Sequence, residues 1–203
     1  MSPELRNKLL ATATAALVAG AGVYQAGEQG RIDDAAIQIA RELGSYYESS
    51  GRHIGKPYID RAGKGQPWTV CAGVTGPAVV PSRYYTPKDC ERLETAMYRE
   101  SLTIARANLS NWEKYNVFVR ASFLDVAYNV PSALMGTTLQ AKANAGDLTG
   151  ACMQMPRWVY GTVGGKKVRL PGLVIRRDTT RELCAEWGRD GHFSSTLVAE
   201  SKP

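Results

Sequence analysis

Glu48-Ser-Ser-Gly-Arg-His-Ile-Gly-Lys-Pro-Tyr58-Ile-Asp60-Arg-Ala-Gly-Lys-Gly65-Gln-Pro-Trp68-Thr69-Val-Cys71-Ala-Gly-Val-Thr-Gly76 is the stretch that decides the fold. Before it, from Asp34 to Tyr47, apolar residues recur at helical spacing (Ile37, Ile39, Ala40, Leu43, Tyr46, Tyr47) and predict a helix ending at Glu48. The chain then breaks at 49–55. Two short β-like pieces follow, Pro57–Asp60 and Trp68–Cys71, joined through Gly63-Lys-Gly65, which reads as a hairpin turn. A carboxylate at a helix end is thus set against a small hairpin that carries a second carboxylate, Asp60, and a hydroxyl, Thr69.

That trio suits cleavage of a glycosidic bond. One carboxyl gives its proton to the leaving oxygen, while the other stays ionised and attacks or aligns a water that a nearby hydroxyl helps to hold. Glu, Asp and Thr within a short span are common in soluble proteins, so the specificity has to come from the rest of the chain.

The remaining blocks supply it. Tyr58-Ile-Asp60, Thr69-Val-Cys71-Ala-Gly73-Val-Thr75-Gly76, Tyr85-Thr-Pro-Lys-Asp-Cys90, Phe123-Leu-Asp-Val-Ala-Tyr-Asn129, Thr137-Thr-Leu139, Asn144-Ala-Gly-Asp147, Cys152, Arg157-Trp158 and Gly172-Leu-Val-Ile-Arg-Arg177 follow one another in an order that resembles the phage-type lysozymes and endolysins, a family of glycoside hydrolases. The resemblance covers roughly residues 45–188. It implies Glu48 as general acid, Asp60 as partner carboxylate and Thr69 as the water-orienting hydroxyl, in an enzyme that hydrolyses the β-1,4 bond between N-acetylmuramic acid and N-acetylglucosamine of peptidoglycan during host lysis. Eleven residues separate Glu48 from Asp60 and eight separate Asp60 from Thr69, both longer than the family's usual connections. Val74 stands where the family commonly has a histidine, and Thr180 where it often has a glutamate. These departures keep two other readings in play, a lytic transglycosylase and a non-catalytic wall-binding protein on a degenerate lysozyme scaffold.

A length of 203 residues suits one domain in two lobes. The expected fold class is α+β and lysozyme-like: a small β-hairpin lobe, a mostly helical lobe, a groove between them, and an N-terminal apolar helix in front. Thr86-Pro87-Lys88-Asp89 opens a helix to about Asn108 with an N-cap hydroxyl and an early proline. Further helices are expected at Lys114–Asn129, Thr138–Ala145, Asp147–Met155 and Asp178–Trp187, with a hairpin or loop at Tyr160–Leu170. The organisation reads as an export segment at 1–27, a catalytic domain at 28–188 and a tail at 189–203.

After Arg6 and Lys8, the run from Leu9 to Gly27 carries no charge, but only five of its residues are strongly apolar. Together those five gain roughly 1.5 to 3 kcal/mol on insertion, offset in part by Gly, Thr and Gln, so a bilayer would hold the run only marginally. Ala19-Gly-Ala21 allows a cleaved signal peptide, and a permanent anchor would be more hydrophobic. The endolysin resemblance implies a third course, signal-arrest-release: export to the periplasm uncleaved, tethering to the inner membrane through residues 9–27, then escape. No cysteine precedes Cys71, so control by thiol exchange within that segment is excluded and a conformational route remains.

A net charge of +6 and a pI of about 9.2 favour an anionic partner such as a cell wall. No basic run is interleaved with aromatics, so nucleic acid is not expected. The even set of Cys71, Cys90, Cys152 and Cys184 in an exported chain predicts two disulfides. Of three possible pairings, chain order favours Cys71–Cys90 and Cys152–Cys184. Without a CxxC, and with only His53 and His192, neither a metal nor a cofactor is expected. Tyr58, Trp68 and Asn129 are candidates for lining a sugar groove, against packing roles for each. Arg176 and Arg177 read as partners for carboxylates or helix caps. A monomer is expected.

Overall fold

The computed structural model describes residues 1–20, 27–60, 65–163 and 165–187. The helical body is α1 (Pro3–Gly20), α2 (Glu28–Ser49), α3 (Pro87–Asn108), α4 (Val117–Asn129), α5 (Thr138–Asn144), α6 (Leu148–Cys152) and α7 (Pro171–Ala185). A three-stranded antiparallel sheet, β1 (Tyr58–Ile59), β2 (Trp68–Val70) and β3 (Val74–Thr75), forms the small lobe. A separate hairpin, β4 (Tyr160–Val163) with β5 (Lys166–Arg169), precedes α7. This is a lysozyme-like α+β arrangement.

α4 occupies the centre. It is buried on every side from Val117 to Ala127, the signature of a helix enclosed by others, and most of that stretch is apolar (Val117, Phe118, Val119, Phe123, Leu124, Val126). Its start is fixed locally, because Asn116 accepts from the backbone N–H groups of Phe118 (3.0 Å) and Val119 (2.9 Å). The expected start at Lys114 therefore moves to Val117, with a 3₁₀ turn at Trp112–Lys114 ahead of it. α3 begins where the sequence places it: Thr86 and Asp89 form a reciprocal capping box, and Pro87 stands in the first turn.

Two helices are longer than their patterns predict. α2 starts at Glu28, because the polar segment read as a joint is held by buried pairing. Asp33 accepts from Arg120 of α4 (2.8 Å) and from the Trp112 indole (3.0 Å), and pairs with Arg106 of α3 (2.6 Å). α7 starts at Pro171 rather than Asp178, so Arg176 and Arg177 lie inside the helix and face α4. A proline early in a helix loses nothing, since its missing N–H would have no partner there.

The N-terminal segment is helical over Pro3–Gly20 and lies on α2, with Lys8 pairing Glu42 (2.6 Å). Leu5, Leu9 and Ala13, one turn apart, are buried in the same core as Ile32, Ala36, Ile39 and Leu43 of α2. Among the described residues, no helix is long and apolar enough to cross a membrane. Part of the Leu9–Gly27 run, and the 189–203 tail, lie outside the described residues.

Disulfides join Cys71 to Cys90 and Cys152 to Cys184. The first ties the sheet to α3, the second ties α6 to α7. Each such link contributes about 2 to 4 kcal/mol, mainly by restricting the unfolded chain.

Candidate active site

Glu48 sits in the last turn of α2, which closes at Ser50 and Gly51, both left-handed (φ 54° and 70°). Two glycines lie beside it. Gly44 is one turn earlier on the same helix, and a Cβ there would lie 2.4 Å from Tyr98 Oη. Gly73, in the turn between β2 and β3, has φ +82°, and its missing Cβ would stand 3.8 Å from the Glu48 carboxyl. The glutamate thus lies against the sheet's turn. Tyr128 of α4 closes the same corner by donating to Ala72 O (3.1 Å) and stacking on Tyr98, with ring centroids 4.5 Å apart.

The hairpin brings the second carboxylate and the hydroxyl onto one face. Tyr58 is the cross-strand partner of Thr69, and Ile59 that of Trp68. Asp60 continues the ladder by donating its N–H to Pro67 O (3.0 Å). Strand alternation then places Tyr58, Asp60 and Thr69 on one side and Ile59 with Trp68 on the other. Burial pushes the Tyr58 phenol up, and the charges of Asp60 and Glu48 add to the effect, so this hydroxyl lies within the field of both carboxylates. Thr69 is 2% exposed and donates to Pro67 O (3.3 Å).

Of the groove candidates, Asn129 lines a cavity of about 630 Å³, together with the partner carboxylate Asp60 and with Arg157, Trp158, Tyr160 and Lys167. Glu48 and Tyr58 are not among its lining residues. Trp68 belongs to the opposite face of the hairpin and is 42% exposed there, with Ile59 beside it. His53 is exposed on the loop, edge-on to Tyr84.

A buried charge cluster stands behind Glu48: the sequence reads its arginines as carboxylate partners, but not that Asp125 and Glu48 are the carboxylates. Arg176 of α7 pairs with the Glu48 carboxyl and, through Nε (3.0 Å) and Nη2 (2.7 Å), donates to Asp125 of α4. Arg177 donates to Asp125 (2.8 Å) and to Asn129, and Thr180 donates to Asp125 (2.9 Å). Asp125 and both arginines are at most 2% exposed, whereas the Glu48 side chain is 36% exposed. The signal was present: Asp125 is the one acid in a mostly apolar helix, and such a residue needs cationic partners.

Burial raises the Asp125 carboxyl, but the two guanidiniums and the hydrogen bonds from Arg176 and Thr180 outweigh it and hold it below the ordinary carboxylate range. Because the folded value is the lower one, the unfolded chain binds more protons in acid. The stabilisation is complete above about pH 4 and is lost as pH falls through the folded value. Urea midpoints measured from pH 6 down to pH 2.5 should therefore fall steeply below about pH 4. An Asp125→Asn chain should lack that part of the slope, and an unchanged slope would reject the assignment.

The phage lysozyme family model matches residues 51–180, beginning just after Glu48. A SAR-endolysin of Bacteriophage PS119 is 32% identical over 93% of this chain and 98% of its own length. Another, of Enterobacteria phage P21, is 36% identical over 66% of this chain and 75% of its own. Among solved structures, the active form of P1 phage endolysin Lyz shares the fold, with a TM-score of 0.63 at 19% identity over 91% of this chain and 97% of that one. With a helix-end glutamate set against an Asp- and Thr-bearing hairpin, and with matches running along most of its length, the chain belongs to the phage lysozyme family and is a glycoside hydrolase, a phage endolysin of the muramidase type.

Proposed function

We propose that Glu48, Asp60 and Thr69 carry the muramidase reaction on peptidoglycan. The observation that supports this most directly is the shared face of Tyr58, Asp60 and Thr69, with the Tyr58 hydroxyl in the field of both Asp60 and Glu48. Glu48 gives its proton to the glycosidic oxygen as the bond from that oxygen to the anomeric carbon breaks. Asp60, with the Thr69 hydroxyl, orients a water that attacks the same carbon from the opposite side and passes its proton to Asp60. The products are two glycan ends, one reducing, with the configuration inverted. Asn129 and Tyr58 are candidate sugar contacts. Trp68 is the least supported of that set, given the face it occupies.

Digestion of purified peptidoglycan tests the reaction: reducing ends should appear. Asp60→Asn should slow their release more than Thr69→Val does. Anhydro-muramyl products would make the enzyme a lytic transglycosylase, and a Thr69→Val enzyme equal to the parent would remove the hydroxyl from the mechanism.

The same proposal places the chain, as a monomer, in the host periplasm, first tethered to the inner membrane through residues 9–27 and later released. Support comes from the marginal hydrophobicity of the run, from the relatives named SAR-endolysins, and from the seat α2 offers to Leu5, Leu9 and Ala13. Release frees the helix bearing Glu48 to meet the hairpin. Replacing Gly20 and Gly22 with Leu should hold the chain in the membrane fraction and delay lysis. Lysis on the parent's schedule by a soluble, uncleaved variant would reject control by release, and a parent trimmed near Ala21 would make the segment an ordinary signal peptide.

A further inference from the structure

The reaction above leaves the buried carboxylate of Asp125 without a task. Its Oδ1 accepts from Nε and Nη2 of Arg176, and its Oδ2 from Arg177 Nη1 and Thr180 Oγ1. All four bonds come from α7 and point at one side chain of α4. A guanidinium gripped on the Nε–Nη2 edge has a fixed plane, so the direction of its remaining nitrogen is set. For Arg176 that nitrogen is Nη1, and it meets Glu48 Oε1. Arg177, gripped through Nη1, presents Nη2 to Asn129 Oδ1. One carboxylate therefore orients two arginines, and each arginine holds a residue of the candidate site.

Stability alone does not call for this arrangement. Removing three charges from water is costly, and well-packed apolar side chains of similar volume often serve a core as well or better. What the cluster delivers is a single setting of the Glu48 carboxyl at the end of α2, with Gly44 leaving the space through which Tyr98 and Arg176 approach the helix. We propose that Asp125 is a positioning residue for the reaction, aiming Arg176 at Glu48 and Arg177 at Asn129. This rests on Glu48 being the acid.

Thr180 shapes the test. Its hydroxyl is 2.9 Å from Asp125 Oδ2, so a side chain at position 180 can carry a carboxylate to the same arginines from α7. In the full chain, acting on soluble glycan–peptide fragments of peptidoglycan, Asp125→Asn should lower kcat at least about tenfold because the acid is misaimed, with a smaller rise in KM as Arg177 loosens its hold on Asn129. Adding Thr180→Glu to that variant should return kcat to within about threefold of the parent. Should Asp125→Asn fail to fold, Arg176→Lys takes its place. The ammonium still neutralises Asp125 but cannot span Asp125 and Glu48 together, so kcat should again fall at least about tenfold at constant KM, measured well below the variant's thermal midpoint. A folded Asp125→Asn or Arg176→Lys enzyme with the parent's kcat overturns the proposal, as does a folded double variant left at the Asp125→Asn rate. Glu48→Gln, measured alongside, separates the two levels. If it is inactive while Asp125→Asn works normally, only the positioning role fails; if it is active, the assignment of the acid fails first.

Discussion

Glu48→Gln leaves a folded protein whose rate of peptidoglycan cleavage is lower by about 10²- to 10⁴-fold, the range a general acid contributes. The amide matches the carboxylate in size and still offers an oxygen to Arg176, so the buried cluster of Asp125, Arg176 and Arg177 keeps its partners. The amide cannot give up a proton to the leaving oxygen, and that is the function removed. Thermal unfolding should stay close to the parent's, and binding to intact walls should persist. More than a tenth of the parent rate would mean that another residue is the acid.

Leu9→Ala is expected to cost about 2 to 5 kcal/mol in the soluble chain, the range for truncating a buried leucine, because collapse around the gap is only partial. Leu9 is fully buried, in the core that α1 shares with α2. The magnitude matters for more than stability. If α1 were a loose attachment, the truncation would cost only a few tenths of a kcal/mol, as an exposed position does. A large loss places the helix in the cooperative unit that also holds Glu48. Chemical denaturation followed by tryptophan fluorescence reads the difference, and a midpoint within error of the parent would show that α1 does not support the body.

Those two positions also mark how far the sequence carries. The place of Glu48 at a helix end before a hairpin was legible because each part leaves a mark within a few residues: apolar spacing before it, a break after it, and β-like pieces at Pro57–Asp60 and Trp68–Cys71 around Gly63-Lys-Gly65. The start of α3 was legible for the same reason, since Thr86, Pro87 and Asp89 complete their hydrogen bonds among themselves. α2 and α7 were cut short because their first turns lack such local marks. Glu28–Asp34 looks like a linker until Asp33 finds Arg120, 87 residues away. The helix expected from Asp178 opens at Pro171 and so carries both arginines.

By itself, the sequence determined the α+β class and the order of small hairpin and helical body, because caps, turns and side-chain alternation are decided by near neighbours. The proposal for Glu48, Asp60 and Thr69 came from the family-like order of the sequence blocks. Only the tertiary structure decided which face Trp68 takes, where α1 lies, and that Asp125 stands behind the acid. Arg176 meets Glu48 across 128 residues and Asp125 across 51. No local pattern selects one buried carboxylate over another. The packing of α7 across α4 and the end of α2 does, because a charge enclosed there must meet its partners or stay out of the core.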